Sequence, residues 1–317
     1  MEHMNYDEAD MAAISVIAPE LNFRSDEDGV MTARQLDYVK TRVYEQVMPP
    51  LTGLQLVPVS TEVPEWAETF TWRMYDEVGM AKFVANYADD LPRADVQGTE
   101  QTSRIKDIGA SYGYNIAELR ASNATGANLP ARKGNAARRS IEQLLNRVAL
   151  VGDTDYGFYG IANHPNIGET TITGDWGNAA TTGDTILADL ITLYNAVLNQ
   201  SFDNHVPNTL AVTPEARAAI ATKRVSDSNG KTVWQFFTEQ YPGVEMLSSR
   251  ELAGVEGGED IALMYERNAD NMSLELPMAF NQLAAQARNL ELVVPCLARS
   301  GGVTLYYPLS ITKAVGV

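Results

Sequence analysis

The sequence predicts an α+β fold. Residues 66–75 alternate apolar and polar side chains with the period of a strand, while 130–150 and 185–200 carry apolar stripes with the period of a helix. With 317 residues, 45% of them hydrophobic, the chain is long enough to bury one or two cores.

From the N-terminus, residues 1–30 hold eight acids against one base, Arg24, around a short apolar run at 14–18. Such a segment has too little apolar surface to order itself alone and reads as an arm. A helix is predicted over 32–47, with Leu36, Val39 and Val43 on one face and a stop at Pro49 and Pro50. Next, Trp66, Phe70, Trp72 and Met74 fall on one face of a strand, and Thr69, Thr71, Arg73 and Tyr75 on the other. The chain is polar and irregular from 79 to 98. Alternation resumes from Ser103 through Ile105 and Lys106 to Tyr112, Tyr114 and Ile116, which predicts an elongated hairpin with a long tip. A lone hairpin is marginal in water, so its large apolar side chains are expected to find cover on another copy of the chain.

Pro130 suits the first turn of a long helix, in which Ala137, Ile141, Leu144, Leu145 and Val148 form one inward stripe. Arg132, Lys133, Arg138, Arg139 and Arg147 make this helix basic, and Gly152 and Asp153 end it. After a loop-rich stretch, the helix at 185–200 turns Ile186, Leu190, Leu193, Tyr194 and Val197 inward. A strand at 209–212 leads into Thr213 and Pro214, an N-cap and first-turn pair. A helix at 232–241 and strands at 244–247 and 261–265 complete an α/β unit. Closing strands at 290–298 and 303–311 meet at a tight turn of Ser300, Gly301 and Gly302.

The chemistry sought in this sequence is mostly missing from it. Gly109, Ala110, Ser111, Tyr112 and Gly113 satisfy the G-x-S-x-G pattern of a hydrolase nucleophile, but Arg104, Lys106 and Asp107 solvate the strand before it, where an elbow needs a buried one. A glycine-containing strand end is the preferred reading. His3, His164 and His205 are the only histidines and sit in loop-like contexts, so a base for Ser111 or for Cys296 is not evident; the cysteine reads as a small core residue. Residues 153–157 resemble the start of a calcium loop without its later ligands. Zinc spacings, a P-loop and a dinucleotide glycine pattern are not found. No catalytic residue, cofactor or metal is therefore expected. The single cysteine fits a reducing cytoplasm, and the sequence offers neither a signal peptide nor an 18-residue apolar run. A net charge of −17 restricts nucleic-acid contact to local patches. The basic helix reads as a solvated face, or as a partner for the acidic arm of a neighbouring copy, ahead of a DNA contact.

Several runs are more specific than this order of elements: YDEVGMAKFVANYADDLPRADV at 75–96, IGASYGYNIAELRAS at 108–122, ARRSIEQLLNRVALVGD at 137–153 and ARNLELVVPCLARSGGVTLYYPLSI at 287–311. They resemble tailed-phage major capsid proteins with the Hong Kong 97-type fold, and the likeness covers nearly the whole chain. The resemblance implies an N-terminal arm at 1–62, an extended loop hairpin at 63–118, a peripheral domain at 119–205 and 268–317 with a spine helix at about 130–150, and an axial domain at 206–267. It implies a shell subunit whose partner is itself, in hexamers and pentamers, in a virion capsid assembled in the host cytoplasm around double-stranded DNA held by weak local contacts. Separate scaffolding, portal and decoration proteins would be further partners; no membrane is involved. Some members join a loop lysine to a neighbour's asparagine; Lys82 lies in that region, but without a matching motif no crosslink is expected. The side chains expected at subunit contacts are Trp66, Phe70, Trp72, Met74, Arg104, Lys106, Arg132, Arg138 and Arg139. The competing readings are an encapsulin-type compartment, a tail or adaptor protein forming rings or tubes, and a serine hydrolase built on Ser111.

Overall fold

The structure, a computed structural model, describes residues 50–78, 95–115, 117, 118, 120, 124, 129–226, 228–289 and 291–317. The helix expected over 32–47, His3 and Lys82 lie outside these residues.

Among the described residues the first element is a helical turn, α1 (Gly53–Leu56), followed by strands β1 (Val59–Ser60), β2 (Thr69–Val78), β3 (Asp95–Arg104) and β4 (Lys106–Asn115). The long helix α2 (Leu129–Leu150) is followed by three short strands, β5 (Gly152–Asp153), β6 (Phe158–Tyr159) and β7 (Gly168–Glu169). Then come α3 (Gly183–Ser201), β8 (Thr209–Val212), α4 (Pro214–Thr222), α5 (Val233–Gln240), β9 (Glu245–Ser248) and β10 (Ile261–Tyr265). Six strands close the chain: β11 (Met272–Glu275), β12 (Met278–Gln282), β13 (Gln286–Arg288), β14 (Glu291–Ser300), β15 (Gly302–Leu305) and β16 (Ile311–Val315).

The predicted stripe of α2 holds for Ala137, Ile141, Leu145 and Val148, all buried; Leu144 sits at its rim and stays 38% exposed. That stripe meets β14, on which Val294, Cys296, Ala298 and Ser300 are buried at every second position. A strand with one face on a helix and the other in solvent needs this alternation. Along one edge β14 pairs with β12 and β13, and along the other with β4, from Glu291 opposite Asn115 to Ser300 opposite Lys106. Arg299 forms an ion pair with its cross-strand partner Asp107 at 2.6 Å.

This pairing corrects the predicted hairpin. The partner of β2 is the polar strand β3, and the alternating segment that begins at Lys106 belongs to the sheet of β14. The strand breaks at Ile105, whose side chain is 5% exposed and whose N–H donates to the Glu68 carbonyl at 2.8 Å.

A five-stranded sheet in the order β7-β16-β10-β8-β9 has helices or sheet on both faces. Leu210, Val212, Ala262, Met264 and Ala314 face one core with α3, α4 and α5; Ala211, Ile261, Leu263, Tyr265 and Ile311 face another with the end of α2 and the small sheet β1-β11-β15. Burial on both faces is why β8 and β10 are apolar without alternating. On α3 the predicted residues Ile186, Leu190, Leu193 and Val197 are buried, and they share their core with α4 and α5. The boundary expected at 205 therefore does not coincide with a break in packing. Thr213 caps α4 as predicted, its side chain accepting from Ala216 N at 3.3 Å.

The closing pair of strands is also different from the expectation. β14 and β15 do not pair; the corner at Gly301 and Gly302 carries the chain from the sheet of β14 to that of β11, and a 3-10 turn at Pro308–Ser310 carries it on to β16 beside β10. Proline lacks the N–H that an uninterrupted strand would need there.

Candidate subunit interface

The ribbon of β2 and β3 is built from cross-strand pairs. Arg73 and Glu100 face each other and bond at 2.7 Å, and the hydroxyls of Thr71 and Thr102 meet at 2.9 Å. The Tyr75 ring lies over Gly98 opposite, where a Cβ would come 3.1 Å from the ring. Every residue of β3 except Ser103 is exposed, so this strand leaves no apolar alternation in the sequence. Among the described residues neither β2 nor β3 pairs with a third strand.

At its base the ribbon rests on its own chain. Phe70 and Trp72 stack with centroids 5.6 Å apart, and Trp72 meets the edge of Tyr306 at 6.0 Å. A Cβ at Gly301 would come within 2.8 Å of the Phe70 ring, so only glycine lets the ring sit this close. Tyr306 donates to Glu275 Oε1 at 3.0 Å, and Ser273 donates to the same oxygen at 2.6 Å. Burial first, then the adjacent carboxylate, pushes the Tyr306 phenol up to about 12, which keeps it a neutral donor at ordinary pH. A cleft of about 250 Å³ lies between Trp72, Phe158, His164 and Leu305. The sequence marks Gly301 as a turn residue but not as the seat of Phe70, and it singles out neither Tyr306 nor Glu275; the Gly-Gly corner and the Tyr-Tyr pair beyond it are the signals available.

These contacts correct the expectation that another copy covers the whole aromatic face. Phe70 and Trp72 are half-buried within their own chain, as is Met74, while Trp66 is 82% exposed. Trp66 lies before β2, in a turn closed by Ala67 N donating to the Pro64 carbonyl at 3.1 Å, and does not join the cluster. The outer ribbon exposes Tyr75 and Val96 instead. Arg104 and Lys106 are exposed on either side of Ile105.

On α2, Arg132 and Arg138 are exposed and Arg139 is half-buried. Arg138 bonds to Glu142 on the same helix at 2.8 Å, and Lys133 reaches the Gly113 carbonyl at 2.8 Å and Glu118 at 2.9 Å. Part of the basic character is thus answered within the chain. Ser111 sits in the middle of β4 opposite Pro295 in an antiparallel pair, which is not the strand-to-helix turn of a nucleophile elbow. Cys296 is fully buried against α2, and burial pushes its thiol up. His164 and His205 lie in loops as expected, but neither is fully exposed: His164 is half-buried, which holds its pKa down, and His205 bonds to Glu266 at 2.8 Å. Among the described residues no three His, Cys, Asp or Glu side chains are grouped to hold a metal, and no helix is long and apolar enough to cross a membrane.

A family model described as major capsid protein matches residues 79–317. The chain belongs to the major capsid protein family. It is a structural shell protein, and its place is the virion capsid. A search of curated proteins finds no significant relative of this capsid protein. Among solved structures it is similar to the capsid of Myoviridae phage XM1, with a TM-score of 0.81 at 17% identity, covering 92% of this chain and 100% of that one. It is similar to a chain of Mycobacterium phage Bobi, with a TM-score of 0.65 at 14% identity over 89% and 96% of the two chains. The virus-like particle from Pyrococcus furiosus is a more distant match, with a TM-score of 0.50 at 15% identity over 82% and 91%. At such identities the likeness establishes the fold, which for this capsid protein is the Hong Kong 97-type fold.

Proposed function

We propose that copies of this chain, in hexamers and pentamers, close an icosahedral shell around the double-stranded DNA of a tailed phage, and that the chain performs no catalysis. The observation that best supports this reading is the ribbon of β2 and β3, which bonds to no third strand among the described residues and exposes Tyr75 and Val96. A ribbon of two strands is costly to leave unsupported, and an adjoining copy is the partner that a shell always supplies. In this reading 1–62 is the arm, the ribbon and its tip form the extended loop, α2 is the spine helix, and the sheet of β14 belongs to the peripheral domain. The axial domain takes in α3 as well as the expected 206–267, because α3 shares its core with α4 and α5. Trp66, Met74, Arg104, Lys106, Arg132, Arg138 and Arg139 remain the proposed contact residues, with Phe70 and Trp72 acting as the seat of the ribbon. Scaffolding, portal and decoration proteins are further partners, and assembly takes place in the host cytoplasm.

Electron microscopy of the chain expressed alone tests the reading. Closed shells are expected; rings or tubes would favour a tail or adaptor protein. Shells purified from infected cells are expected to hold nuclease-protected DNA, and a cargo enzyme in its place would favour an encapsulin-type compartment. Ser111 is expected to remain unlabelled by a fluorophosphonate probe.

A further inference from the structure

Four large apolar side chains from two segments remain in solvent on one surface: Phe202 at 85% exposed, Val206 at 53%, Tyr307 at 49% and Leu309 at 51%. The two segments are held together. Gln200 Nε2 donates to the carbonyls of Leu309 and Ile311, each at 2.9 Å, and the His205 ring lies 5.6 Å from that of Tyr307. His205 is in turn fastened to Glu266 at 2.8 Å. The patch is therefore a fixed surface built from the end of α3 and the turn before β16.

Phe202 caps α3 in the left-handed region, with φ 52° and ψ 46°, and Asp203 follows it at φ 63°. Glycine or asparagine takes this conformation at least cost, and a bulky side chain there is unusual. Here the strained position carries a phenyl ring directed into water, so the local fold gains nothing from the ring.

We infer that this patch is a contact between two copies of the chain, an inference that rests on the shell reading above. Charge argues for a copy as the occupant. Each copy carries −17, so copies repel over most of their surface, yet the stretches 202–206 and 307–310 hold one carboxylate, Asp203, between them. A nearly uncharged apolar surface is where two such acidic bodies can approach. Size agrees. The patch offers on the order of a few hundred Å², less than the roughly 800 Å² per partner of a stable two-body interface. It suits a contact that holds only when a closed lattice reinforces it, and free copies do not pair through it.

The test places a thiol beside the patch without altering it. Asn204 is exposed and Cys296 is fully buried, so in the Asn204→Cys chain the new thiol is the reactive one. Maleimide labelling is measured on the unassembled full-length chain and on particles from cells expressing only this chain. Labelling at least tenfold slower in particles is the expected result. Equal rates in the two states overturn the inference while leaving the shell reading intact, whereas a failure of the wild-type chain to form particles overturns both. As a second measurement, Phe202→Ser is expected to cut particle yield several-fold with the melting temperature of the unassembled chain unchanged; assembly at wild-type yield overturns the inference.

Discussion

Gly152→Ala is expected to lower the melting temperature by about 10 °C or more, from a loss of roughly 3–5 kcal/mol spread over a unit of this size. Gly152 ends α2 at φ +77°, and a Cβ there would lie 2.5 Å from the Phe158 carbonyl oxygen, 2.6 Å from Gly160 N and 2.8 Å from the Tyr159 carbonyl carbon. All three are backbone atoms, which cannot rotate away as a side chain would. They belong to the returning strand β6 and the residue after it, and the chain beyond bonds back to the helix end: Ile161 N donates to the Ala149 carbonyl at 3.1 Å and Ala162 N to the Leu150 carbonyl at 2.8 Å. Opening the turn to admit a methyl group would break that return and shift everything that α2 positions, so loss of shells is expected with the loss of stability. Gly157→Ala is the control. Gly157 has nearly the same φ, +76°, with nothing within 4 Å of the added atom, so only the conformational strain of about 1 kcal/mol applies. Calorimetry showing equal shifts for the two variants would refute the contact account.

Trp176→Ala is expected to cost roughly 4–6 kcal/mol, the cavity of a deleted core tryptophan together with a buried carboxylate deprived of a donor. Trp176 is fully buried, although it lies in a stretch with no helix or long strand, and its indole N–H donates to Asp189 Oδ2 at 3.0 Å. Asp189 is only 2% exposed, and its other oxygen accepts from Thr173 N at 3.0 Å. The ring thus fastens an irregular loop onto α3 while filling the core between α3 and the five-stranded sheet. Trp176→Phe keeps most of the packing and loses the hydrogen bond, so about half the destabilisation is expected. Chemical denaturation in which the phenylalanine and alanine variants fall together would show that packing matters less than the bond to Asp189.

The sequence marks Gly152 as the end of the long helix but not as a position closed to a methyl group, and it does not mark Trp176 at all. A glycine after a helix announces a turn, but whether a methyl group would be tolerated depends on Phe158 and Gly160 returning beside it. Trp176 stands among glycine, asparagine and threonine without any period, and only its partner Asp189 reveals a core position. By contrast, Ile141, Leu145, Leu190, Leu193, Thr213 and the turn at Gly152 were legible, because helical stripes and caps are relations between residues a few positions apart. Of the expected contact residues, the alternation of Phe70, Trp72 and Met74 was legible, while the own-chain seat on Tyr306 and Gly301 was not.

By itself the sequence determined that the chain is α+β, where the helices at 130–150 and 185–200 run, and that strands with two unlike faces lie within 66–75 and 103–116. The tertiary structure alone decided which strands lie side by side. A period of two reports that one face of a strand is drier than the other; it carries no information about what bonds to the edges, since backbone N–H and C=O groups are the same in every residue. Lys106–Asn115 would alternate equally well against β2 or against β14, and the choice of β14 came from the apolar face that β14 shares with α2, two elements far apart in the sequence.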